Sequence, residues 1–159
     1  MAASRRRSGV ACKVHPDRRE NGLILPISEW VLHQACTQFR VWAREGLMAV
    51  NLSARQFRQK SLISQLGLLL HDCEIEPDAL ELQLTESMLV DDVEAAIKTM
   101  SALKGMGIRL SLDDFGTGYS SLSYLKRFPI DTLKIDKSFV REILTDSRSA
   151  AVVDGIISL

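Results

Sequence analysis

Apolar positions along the chain alternate between helical spacing and short continuous runs. Leu32, Ala35, Phe39 and Trp42 share one helical face, predicting a helix from Ser28, its cap, to about Glu45, with Gly46 as the stop. Residues 47–52 then read as a strand, 61–72 as a helix, Pro77-Asp78 as a turn and 80–84 as a second strand. Asp91 and Glu94 are expected to form a capping-box pair before a helix that turns Val93, Ala96, Ile97, Met100 and Leu103 inward and closes at Gly105. A strand at 108–112, a glycine-rich loop, a short helix at 121–127 and Pro129 lead to a fourth strand at 132–136. Helices at 137–144 and from near Ser149 complete the pattern.

Strands thus begin near positions 48, 80, 108 and 132, with helical sequence in each gap. Serial strand–helix repetition builds a parallel α/β sheet with right-handed crossovers. A doubly wound open sheet and a (β/α)₈ barrel both fit that order. The two-residue alternation of side chains separates them. Leu80, Leu82 and Leu84 oppose Glu81, Gln83 and Thr85; Ile108, Leu110 and Leu112 oppose Arg109, Ser111 and Asp113. Leu133 and Ile135 likewise oppose Thr132, Lys134 and Asp136, and Val50 and Leu52 oppose Ala49 and Asn51. A sheet covered by helices on both faces has no place for Glu81, Arg109 and Lys134 on one side. A barrel does, because its polar faces converge inside, at the C-terminal rim where barrel active sites lie.

Composition narrows the class. The chain has 159 residues, 46% hydrophobic and 25% charged, with formal net charge zero. That fits one folded domain and argues against nucleic-acid or membrane-surface binding driven by bulk charge. Residues 1–20 hold six basic and two acidic side chains and no apolar periodicity, so 1–19 are expected to be a disordered leader and 20–159 the domain. Cys12, Cys36 and Cys73 form no C-x-x-C pair, and His15, His33 and His71 lack metal-ligand spacing. The thiols read as reduced, in a cytoplasmic location, and no apolar run in this segment is long enough for a membrane span.

The rim set predicted from the alternation is Asn51, Gln83, Glu86, Asp113, Asp114 and Lys134. Carboxylates with an amide oxygen suit Mg²⁺ or Mn²⁺, and adjacent aspartates allow one to bridge a metal pair of the kind that serves displacement at phosphorus. A nearby lysine could orient water or offset transition-state charge. A phospho-accepting receiver domain also uses paired acids and a lysine. It takes the acids from its first strand and the lysine from its last, whereas here they lie on consecutive strands.

Several motifs occur in order: Asn21-Gly22-Leu23-Ile24, Glu29-Trp30-Val31-Leu32 with Gln34-Ala35-Cys36, Val50-Asn51-Leu52-Ser53 and Leu84-Thr85-Glu86-Ser87. Asp113-Asp114-Phe115-Gly116-Thr117-Gly118-Tyr119-Ser120-Ser121 and Leu133-Lys134-Ile135-Asp136 follow. Together they resemble the EAL domain family of bacterial cyclic-di-GMP phosphodiesterases, from about Glu20 to Leu159. The resemblance implies a modified (β/α)₈ barrel, of which about four βα units are matched, that opens cyclic-di-GMP to linear 5′-pGpG with Mg²⁺ or Mn²⁺. It implies that Asn51 and Asp113 are metal ligands, Asp113 being shared, that Asp114 serves the second metal and that Lys134 is the catalytic lysine. Glu86 would steady the loop after Asp114, whose Phe115, Gly116, Thr117, Gly118, Tyr119 and Ser120 close over substrate and can meet a dimer partner.

Departures from the family pattern set the functional expectation. The Glu-Ala-Leu signature is not matched, Gln83 stands where the family has a metal-binding glutamate, and later catalytic segments would lie beyond Leu159. The chain therefore reads as an EAL domain truncated at both ends. Its expected function is phosphodiesterase in lineage with impaired metal binding and lost activity. The alternative readings are a degenerate module that binds cyclic-di-GMP or a protein partner without catalysis, and a remnant that does not fold alone.

Overall fold

The computed structural model describes residues 23–42, 46–89, 91–116 and 125–158. In chain order the elements are α1 (Ile24–Val41), β1 (Met48–Asn51), α2 (Ala54–Phe57), α3 (Leu62–Asp72), β2 (Leu80–Thr85), α4 (Val93–Gly105), β3 (Arg109–Phe115), β4 (Thr132–Ile135), α5 (Lys137–Glu142) and α6 (Ser147–Ile157). Residues 1–19, read as a leader, and most of the helix expected at 121–127 lie outside the described residues.

The four strands form one parallel sheet in the order β1-β2-β3-β4. Helices cover one face. Leu80, Leu82, Leu84 and Leu110 are wholly buried against Cys36 of α1, Leu66 of α3 and Met100 and Leu103 of α4 in a single core. The alternation read from the sequence is therefore the organising feature of the sheet. Its apolar side excludes water, and its other side carries Asn51, Gln83, Thr85, Asp113 and Lys134.

Local capping explains several boundaries. The first helix begins a turn earlier than predicted, at Ile24, with no side-chain cap at Leu23; Pro26 sits in its first turn, where its missing N–H costs nothing. Because α1 ends at Val41, Trp42 lies at the C-cap and is 73% exposed, not on the buried face. Asp92, not Asp91, caps α4 by accepting from the Ala95 N–H at 3.0 Å, while Asp91 pairs with Arg58 instead. The left-handed stop after α4 is Gly107 at φ +92°, two residues beyond Gly105. The one-turn helix α2 was not expected from periodicity; Ser53 and Gln56 build its capping box.

Asp131 ties β4 to its neighbours. Its carboxylate accepts from the Leu110 N–H at 2.8 Å and from Lys104 Nζ at 2.6 Å, and its own N–H donates to the Leu110 carbonyl at 2.8 Å. Partial burial alone would raise this carboxyl, but the Lys104 ammonium and the Leu110 amide outweigh it and hold the group below the usual carboxylate range. Cys36 and Cys73 are free and buried; burial, reinforced by Cys73, pushes the Cys36 thiol up to about 12. No helix among the described residues is long and apolar enough to cross a membrane.

Candidate functional site

The polar face runs in rows fixed by strand register. Asn51, the exposed last residue of β1, is level with Gln83 of β2, which in turn is level with Ser111 of β3. Thr85 and Asp113 form the next row toward the strand ends. Between Leu112 and Phe115 the pairing with β4 slips, three steps on β3 matching two on β4. This bulge carries both aspartates. Asp114 sits at φ +55°, a left-handed conformation that aspartate tolerates better than most residues, and its N–H donates to Asp113 Oδ1 at 3.0 Å. The bulge thereby presents two consecutive carboxylates at the strand end, Asp113 half-buried and Asp114 exposed, while Phe115 returns to the core.

Lys134 of β4 reaches inward across the sheet, its Nζ 3.5 Å from Glu81 Oε1. The same oxygen accepts from Ser111 Oγ at 3.0 Å and from Gln83 Nε2 at 3.4 Å. Glu81 and Ser111 were read as polar-face residues but not as part of the rim set. The alternation had placed them beside Lys134, which was the available signal.

Glu86 is set apart from the open face. It is 3% exposed, and its Oε2 accepts from the Gly116 N–H at 3.1 Å, holding the start of the loop after Asp114. Gly116 has φ +99°, and a Cβ there would stand 2.8 Å from the Phe139 ring of α5. Glycine at this position is demanded by both the backbone and the space. Thr117, Gly118, Tyr119 and Ser120, and with them the expected dimer contact, lie outside the described residues.

The donor set can be weighed against a metal pair. At the rim, Asp113 and Asp114 are carboxylates, Asn51 and Gln83 are amides, and the Gln83 amide is engaged with Glu81. Among the described residues no three His, Cys, Asp or Glu side chains stand together in a way that could hold a metal ion. Two hard-cation sites ask for more anionic oxygen than this, so these residues alone do not fit a metal pair.

A parallel α/β sheet clad by helices on one face, with acids, amides and a lysine gathered on the other, is the arrangement of a barrel-type α/β domain. The family model for the EAL domain matches residues 3–159, and the chain belongs to that family. Among its relatives are the signaling protein YkoW of Bacillus subtilis, 46% identical over 88% of this chain and 18% of that protein, and the bifunctional diguanylate cyclase/cyclic di-GMP phosphodiesterase MucR of Pseudomonas aeruginosa, 45% identical over 91% of this chain and 22% of that protein. The solved structure of the PaMucR phosphodiesterase in complex with c-di-GMP superposes with TM-score 0.83 at 44% identity, covering 90% of this chain and 60% of that one. The chain thus spans about a fifth of these two curated relatives.

Proposed function

We propose that this chain recognises cyclic-di-GMP on the open polar face of its sheet and, with the residues it carries, does not hydrolyse it. Its lineage is the metal-dependent phosphodiesterase that yields 5′-pGpG. The observation that carries this reading is the composition of the rim: two carboxylates on the β3 bulge, with an amide at Gln83 that is turned to Glu81. Likeness to a c-di-GMP complex supports the ligand.

In this reading Asn51, Asp113 and Asp114 are the residues that would hold a Mg²⁺ or Mn²⁺, and such an ion would supply Lewis-acid chemistry at a phosphodiester. Lys134 is the site's cation, suited to a bridging phosphate. Glu86 fixes the Gly116 amide and so the entry of the loop that would cover the ligand. The buried, unoxidised pair Cys36 and Cys73 accords with a cytoplasmic location.

Isothermal titration with cyclic-di-GMP, run beside a turnover assay in Mn²⁺, tests both halves. Binding without 5′-pGpG formation is expected. Turnover would overturn the loss of activity, and absence of binding would overturn the recognition.

A further inference from the structure

Glu81 occupies an unusual place for a carboxylate. It is the second residue of β2, level with Ala49 and Arg109, on the polar side of the sheet, yet it is only 6% exposed. A buried anion is costly unless charge and hydrogen bonds compensate it. Here both do. The Ser111 hydroxyl, itself wholly buried, donates to Oε1 at 3.0 Å, the Gln83 amide donates at 3.4 Å, and the Lys134 ammonium stands 3.5 Å away. One carboxylate oxygen thus gathers groups from β2, β3 and β4.

The consequence for Lys134 is directional. A lysine on an outer strand has four rotatable bonds and normally sweeps the solvent. Its side chain here is 34% exposed, with the ammonium drawn down toward the floor of the polar face. An ammonium has three protons to donate. Partnered below by Glu81, it keeps others for a group arriving from the rim, and it arrives there with less rotamer freedom left to lose.

We infer that Glu81 is a positioning residue that fixes the Lys134 ammonium on the open face, with Ser111 and Gln83 holding Glu81 itself in place. The inference rests on the reading of Lys134 as the site's phosphate-facing cation. It adds a residue that acts only through Lys134.

The test uses side-chain NMR of the whole 159-residue chain with ¹³C-labelled lysine, and needs no ligand, so its failure is separable from failure of cyclic-di-GMP binding. The Lys134 Cε signal is assigned by its loss in Lys134→Arg. The expected result is a rigid Lys134 Cε by heteronuclear NOE in the unaltered protein, against mobile signals from exposed Lys60 and Lys98. Glu81→Gln, which keeps shape and removes charge, should bring Lys134 to their mobility, and Ser111→Ala, which keeps the charge and removes one support of Glu81, should free it less. A mobile Lys134 in the unaltered protein overturns the inference, and that measurement decides even where Glu81→Gln fails to fold. A Lys134 that stays rigid in Glu81→Gln, or that is freed equally by both variants, overturns it too.

Discussion

Asp131 shows how much one side chain can organise at the edge of a sheet. It answers the first amide of the buried stretch of β3, binds the last-turn lysine of α4 and pairs its own backbone with Leu110. Asp131→Ala should destabilise the chain by about 1–2 kcal/mol at neutral pH, since a backbone donor loses a charged acceptor. Its depressed carboxyl sets the sign of the pH dependence. The contribution is present above the ordinary value of 3.8 and is lost as pH falls through the lower folded value, so the gap in Tm between the two proteins should close in acid. Thermal melts across that range check it. Gly116→Ala is a second residue-scale prediction. The left-handed backbone alone costs about 1–2 kcal/mol, and the Phe139 ring must move as well, so Tm should fall. Gln83→Glu, finally, should tighten Mn²⁺ binding by about tenfold or more, because it returns a third carboxylate to the rim; titration calorimetry with the metal alone reads it. An unchanged affinity would mean that position 83 does not face the cation.

At the scale of elements, the order of strands and helices follows from periodicity, but their ends follow from contacts that periodicity does not contain. Two adjacent aspartates, Asp91 and Asp92, are equally good caps by type. The choice of Asp92 goes with the pairing of Asp91 to Arg58, a residue 33 positions away. The early start of α1 has no cap at all and rests on packing of Ile24 and Leu32. The missed helix α2 had a local signature, Ser53 followed by Gln56, too short to show a hydrophobic period. Ser53→Ala should cost about 0.5–2 kcal/mol, seen as a lower midpoint in urea with an unchanged slope.

Over the whole molecule, the legible part was the division of the sheet into an apolar and a polar face, because alternation is a local property of each strand. By itself it places Asn51, Gln83, Asp113 and Lys134 on one side. The bulge at Asp113 and Asp114 and the convergence on Glu81 were not legible, since both depend on how β3 and β4 register against each other across a long connection. The hold of Glu86 on the loop after Asp114 was legible only through the family resemblance and not from alternation, since its partner, the Gly116 amide, lies 30 residues on.

The most direct test of the account is backbone-amide NMR of the ¹⁵N-labelled chain during titration with cyclic-di-GMP. Saturable shifts centred on Asn51, Gln83, Asp113 to Gly116 and Lys134, with the outward surfaces of α3 and α4 unmoved, are predicted. Absence of shifts at saturating ligand, or shifts confined to the helical side of the sheet, would contradict the claim that the open polar face is where this chain meets its nucleotide.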